Sequence, residues 1–274
     1  LLAFIPEVRM IANAWMRQGN TGATSSAKSF LAETLEILCN KKVGLVRCDS
    51  GFYSQDFLSE LEAKNLNYVV AVKFYPTIKR ELRSLTKWVS IKDGIEICEF
   101  NYQSPEWKAP RRMVAVRKNI TKLKKATGRL LLFDEQIYSY RYSLYVTNLD
   151  LPAQQIWEMY KQRGDAENRI KELKYDFGLE TFCATNFWGT EAAFRSILMA
   201  YNLMALFRQL VLKHKSQATL STLRFKCFAL GAWITKHARI TTLKISATGE
   251  KRRWLDALFD TIPKITAPYS FSNA

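Results

Sequence analysis

Two acids and a row of phosphate-seeking side chains carry the chemistry that this chain could do. Asp49 sits in RCDSGFYS (Arg47–Ser54), directly after an apolar run. Glu167 sits in YKQRGDAENRIKELK (Tyr160–Lys174), where Tyr160, Arg163, Glu167 and Lys174 stand at offsets 0, 3, 7 and 14. An acid just past a buried strand is placed where open α/β sheets put their ligands. Its carboxylate oxygens suit Mg²⁺, which prefers such donors and keeps several waters. The same acid could instead cap the following turn. Arg163 offers a planar fork for phosphate, Lys174 a point charge and Tyr160 a hydroxyl donor. The bland alternative for Arg163 and Glu167 is an i,i+4 ion pair contributing a few tenths of a kcal/mol.

Positioning these groups requires particular elements. Read as one helix at about 100° per residue, Tyr160, Arg163, Glu167, Lys171 and Lys174 share a polar stripe. It borders an apolar stripe of Met159, Ala166, Ile170, Leu173 and Phe177. Gly164 lies within that span and would make room for something bulky beside the stripe. Pro152 fits the first turn of the helical stretch and Gly178 its stop. Upstream, LLAFI and VRMIANAWMR read as strands with a turn at IPE, and Ser26–Cys39 has helical spacing. Val43–Cys48 and YVVAVKF read as buried strands flanking the helix SQDFLSELEAKN. That helix–strand alternation predicts a parallel α/β arrangement. From Pro76 to about Asp150, IEICEFNYQ, RRMVAVRKN, RLLLFDEQ and YRYSLYVTN predict antiparallel strands, a β-rich insertion too long for an ordinary connection. GTEAAFRSILMAYNLMALFRQLVLK reads as a long buried helix, and the tail from 216 as helical and basic. The division expected is therefore 1–75, 76–150, 151–215 and 216–274.

Composition narrows the classes. The chain has 274 residues, 41 Lys and Arg against 25 Asp and Glu, and a net charge of +16. Such a surplus favours a polyanionic partner, nucleic acid first. Five cysteines, none in a C-x-x-C pair, argue against a zinc knuckle and for a reducing, cytoplasmic setting. Two histidines, His214 and His237, argue against a histidine metal site or a Ser-His-Asp triad. There is no P-loop motif, and the longest apolar run, Ile197–Phe207, is too short to span a bilayer.

The spacing Y-x2-R-x3-E-x6-K over Tyr160, Arg163, Glu167 and Lys174, together with RCDSGFYS, resembles bacterial insertion-sequence transposases of the DDE type with the YREK signature. The separation of Asp49 from Glu167 (167 − 49 = 118 positions) is similar to that of members with a β-rich insertion between their acids. The resemblance implies a ribonuclease-H-like α/β core, interrupted by that insertion and followed by a helical C-terminal region. It implies Asp49 and Glu167 as catalytic ligands of Mg²⁺ (or Mn²⁺), and Tyr160, Arg163 and Lys174 as contacts to DNA phosphate, with Lys171 beside them. It implies cleavage and strand transfer at terminal inverted repeats by a cut-and-paste route with a hairpin intermediate. The partners implied are the repeats, target DNA and a second copy of the chain, in a bacterial, nucleoid-associated setting without a membrane. The family also uses a third acid on the first strand of its core. The only acids before Asp49 are Glu7, Glu33 and Glu36, none in that setting. The chain opens on LLAFIPEV within an extended stretch, so the first acid is expected upstream and these residues alone are expected to be inactive.

Nine Lys or Arg and no acid lie between Lys108 and Phe133. Arg111, Arg112, Lys124 and Lys125 in that run are expected to track phosphate. Trp88 and Trp107 are candidates to receive a flipped base, or ordinary core residues. Two rival functions stay open: a metal-dependent nuclease that does not join ends, and a catalytically inactive DNA-binding fragment.

Overall fold

A computed structural model describes residues 1–22, 24–92, 94–119, 140–182, 184–212 and 219–264. The strands β1 (Leu2–Ile5) and β2 (Met10–Ala14) form a two-stranded sheet. Arg9, in the left-handed region at φ 51°, turns the chain between them. The described residues then run α1 (Ala27–Leu38), β3 (Val46–Cys48), α2 (Gln55–Ala63), β4 (Tyr68–Ala71), α3 (Pro76–Ser84), β5 (Val89–Lys92), β6 (Ile95–Tyr102), β7 (Arg111–Asn119) and β8 (Tyr140–Thr147). Helices α4 (Ala153–Lys161), α5 (Gly164–Tyr175), α6 (Phe187–Leu206) and α7 (Leu220–Leu223) follow, then strands β9 (Ala232–His237) and β10 (Ile240–Ile245) and helix α8 (Gly249–Thr261).

The chain divides into two compact units. One holds Leu1–Ala3 and Ala12–Asp165; the other holds Phe4–Ile11 and Ala166–Ala274. In the first, six strands make one sheet in the order β3-β4-β8-β7-β6-β5. β3 and β4 are parallel and every other neighbour is antiparallel. The strands expected as an insertion are hydrogen-bonded to β4 through β8, so they extend the same sheet. RLLLFDEQ lies outside the described residues.

Period-2 alternation places the core on both faces. Tyr68, Val70, Met113, Ala115, Leu144 and Val146 pack on one face with Leu58 and Leu61 of α2, Leu31 of α1 and Ile78 of α3. Val69, Val114, Val116 and Tyr145 face the other way, under Ile156 and Trp157 of α4. The result is a mixed sheet covered by helices on both faces, consistent with a ribonuclease-H-like core.

In the second unit, α5 ends where Leu179 N–H reaches Leu173 O (3.0 Å), with Gly178 at φ 72°. The Asn202 side chain accepts from Ile11 N–H (2.8 Å) and donates to Ile11 O (2.9 Å), replacing a strand partner for that residue. The tail carries helices α7 and α8, and also the antiparallel β9–β10 hairpin, which periodicity did not suggest. No helix among the described residues is long and apolar enough to cross a membrane.

Leu58 is fully buried between α2 and the sheet. Leu58→Ala should lower unfolding stability by about 3 kcal/mol, read as a lower urea midpoint at unchanged slope.

Candidate active site

β3 is three residues long and pairs with β4 alone in the described sheet. Its carboxyl end is held by side chains. Arg47 donates to Met159 O (2.7 Å) and to Gln162 Oε1 (3.3 Å), a cation on the last carbonyls of α4 where the helix dipole favours it. Asp49 follows in extended conformation and caps a 3-10 turn, Ser50–Phe52, its Oδ1 accepting from Gly51 N–H at 2.8 Å. Its Oδ2 faces Arg163 Nη2 at 3.4 Å. The carboxylate is 49% exposed and the guanidinium side chain 20%. Asp49 is thus a turn cap, as one reading of the sequence allowed, and it also presents a solvent-facing oxygen at the carboxyl end of a strand.

The helix bearing the polar row is interrupted. α4 ends at Lys161 and α5 begins at Gly164. Between them Arg163 N–H bonds to Tyr160 O (2.9 Å) and Asp165 N–H to Gln162 O (3.1 Å). These are i→i−3 turns that break the α-helical register. A single wheel from Tyr160 to Lys174 therefore does not describe these residues. Gly164 opens α5 rather than lying inside a helix, and a Cβ there would meet nothing within 4 Å, so no protein group requires the glycine.

Tyr160 stacks on Tyr145 with ring centroids 4.3 Å apart. Burial pushes its hydroxyl up to about 12, Arg163 opposing the shift; the phenol stays a donor at neutral pH. Burial also pushes the Cys48 thiol up to about 12, with Asp49 adding to the shift, so this cysteine is no nucleophile. Arg163, Tyr160 and Asp49 therefore stand together in the first unit. Glu167, Lys171 and Lys174 belong to the second, on α5, where spacings of four and three put them along one side of the helix. Lys174 pairs with Glu180 at 2.5 Å. α5 is fixed within its unit by buried charge that the sequence pattern did not reveal in full: Glu172 bonds Arg208 (2.5 Å) and Arg169 (3.5 Å), all about one-tenth exposed. An i,i+3 pair such as Arg169 and Glu172 reads from the sequence as an ordinary solvated face, and the structure buries it instead.

Where it is described, the basic run is drawn into ion pairs. Arg111 is turned inward: it pairs with Glu62 (2.7 Å), donates to Gln55 and Ser59, and covers the Trp107 ring at 4.6 Å. Arg112 pairs with Glu99 and donates to Leu149 O at 2.6 Å. Arg117 pairs with Glu96 at 2.6 Å and lies over Trp88 at 4.3 Å. Arg111 is committed to the interior of the sheet, whereas the Arg112 side chain is 25% exposed beside Glu99. Lys124 and Lys125 lie outside the described residues. Trp107 is buried against Tyr53 and Tyr102. Trp88 donates to Leu85 O at 3.0 Å and packs on the core. Both have core surroundings, which do not suit a base receptor.

For a divalent cation, Asp49 has the right donor chemistry: a hard oxygen, half exposed and loosely held. Among the described residues no three His, Cys, Asp or Glu side chains are gathered. Glu33 accepts from Trp15 Nε1 on α1, Glu36 lies exposed on α1 and Glu7 in the β1–β2 turn, so none stands on the large sheet.

A mixed sheet with an acid at the carboxyl end of a strand, and a cation and phenol set beside it, is the kind of place where open α/β sheets put their ligands. Across residues 1–267 the chain matches the family model described as transposase DDE domain group 1, and it belongs to that family. No curated protein matches it. Membership makes it, at the family level, a DNA-acting enzyme that works with a divalent metal.

The Glu62 carboxyl is held below its ordinary value, first by the Arg111 hydrogen bond. A depressed folded-state value contributes stability that is present above the unfolded value and lost as pH falls through the folded one. Chemical denaturation from pH 6 down to pH 3 should show Glu62→Gln flattening part of the wild-type loss, below about pH 4.5.

Proposed function

We propose that the protein is an insertion-sequence transposase that cleaves DNA at terminal inverted repeats and joins the freed ends to a target, with Mg²⁺ or Mn²⁺. The observation that carries this reading is the Asp49 carboxylate at the end of β3 with Arg163 and Tyr160 set beside it, in a chain of the transposase family. Asp49 and Glu167 would hold the metal through carboxylate oxygens. When bound, the ion activates the attacking oxygen and steadies the leaving one. Arg163, Lys171 and Lys174 bind and orient phosphate, and Tyr160 donates its hydroxyl to it. The route is cut-and-paste, in the cytoplasm, within a dimer formed on DNA.

A second reading, DNA binding without catalysis by these 274 residues alone, is favoured by the settings of Glu7, Glu33 and Glu36, none of which supplies a third acid beside Asp49. Mg²⁺-dependent cutting of duplex ends by this chain alone would overturn that second reading. In the protein expressed from its own gene, Glu167→Gln should lower cleavage by at least about a hundredfold, since several kcal/mol of charge stabilisation is lost. Measured without divalent metal, DNA affinity should stay within about twofold, because the missing ligand is for metal and not phosphate. Unchanged cleavage would contradict the assignment of Glu167.

The salt dependence of binding separates the basic residues. Lys124→Gln with Lys125→Gln should flatten the slope of log affinity against log salt by roughly 2, about 0.9 for each phosphate no longer neutralised. Arg111→Gln should leave that slope unchanged and instead lower the melting temperature.

A further inference from the structure

We propose that Arg163 is a latch on the Asp49 carboxylate, which DNA phosphate draws away, so that metal binding at Asp49 is coupled to DNA binding. The proposal rests on the function proposed above, in which Asp49 is a metal ligand and Arg163 meets phosphate.

The two carboxylate oxygens of Asp49 are held unequally. Oδ1 accepts a 2.8 Å bond from Gly51 N–H and belongs to the turn. Oδ2, left for a metal, faces the Arg163 guanidinium at 3.4 Å, near the outer limit of a hydrogen bond. A guanidinium there competes with a divalent cation for one oxygen and repels it. The pairing is also easy to replace. It is long, and the acid is half exposed; such pairs contribute little. A phosphate presents a matching fork of acceptors and a full charge. Arg163 stands in the turn between α4 and α5, outside both helices, and Arg47 holds the neighbouring Met159 and Gln162 independently. The guanidinium can therefore change partner without unwinding either helix. Linkage then requires each ligand to tighten the other by the same factor.

Mn²⁺ binding to the DNA-free protein, read from the paramagnetic resonance signal of the free ion, tests this. Arg163→Gln should bind Mn²⁺ about fivefold more tightly than wild type, the size of an exposed ion pair. Asp49→Asn should bind it more weakly, and adding Arg163→Gln to Asp49→Asn should give no gain. The reciprocal arm keeps Arg163 intact. Mn²⁺ should raise affinity for a labelled duplex in wild type beyond an ionic-strength control with Na⁺, and should not do so in Asp49→Asn. That arm decides the matter if Arg163→Gln fails to fold. If Asp49→Asn leaves Mn²⁺ binding unchanged, the metal role of Asp49 itself fails. If it weakens binding while Arg163→Gln gives no tightening, or if Mn²⁺ raises duplex affinity equally in both proteins of the reciprocal arm, the latch alone is overturned.

Discussion

The candidate site depends on how the carboxyl end of β3 is held. A strand of three residues, paired with β4 alone among the described strands, has too few ladder hydrogen bonds to fix the residue after it. Two arginines supply what the ladder lacks. Arg47 leaves β3 for the last turn of α4, and Arg163 returns from the turn after α4 to Asp49. Asp49 sits between these crossings with one oxygen tied to its own turn. The position of the acid, the orientation of the phosphate-seeking side chains and the break in the helix are parts of one arrangement. Behind it, Tyr145 of β8 supports Tyr160 from the sheet, so the phenol is placed by core packing rather than by solvent.

Much of this was legible in the sequence, and the exceptions share a cause. The apolar run YVVA specified a strand buried on both faces, because successive side chains on a pleated strand point to opposite sides. The helix–strand–helix–strand rhythm before residue 75 specified the parallel β3–β4 pair. The interruption at Gln162–Arg163 was hidden because its two residues fit a helical pattern and the apolar stripe continues on either side. The basic run misled because charge was counted along the chain. Its acid partners are non-local: Glu62 comes from α2, while Glu96 and Glu99 come from β6 across the ladder. The β9–β10 hairpin escaped notice because AWITKH and ITTLKI are exposed along almost their whole length, and alternation is a signal only where one face is buried.

The charge of +16 therefore has two parts with different work. Some guanidiniums are committed to protein acids: Arg111, Arg112 and Arg117 pair across the sheet, and Arg169 and Arg208 enclose Glu172. The remaining cations create the long-range field that attracts a polyanion. The paired arginines set the shape on which the site is built, and the outer cations set how strongly DNA is drawn to it. Confusing the two inflates the apparent DNA surface.

Whether Asp49 and Glu167 serve one metal, as proposed, is open to direct test. Fe²⁺ bound in place of Mg²⁺, with ascorbate and peroxide, generates hydroxyl radicals that cut the backbone beside the ion's ligands. Two breaks are expected, one near Asp49 and one near Glu167, both suppressed by excess Mg²⁺ and both lost in Glu167→Gln. A break near only one of the two residues, or a break near Asp49 that persists unchanged in Glu167→Gln, would contradict the shared metal.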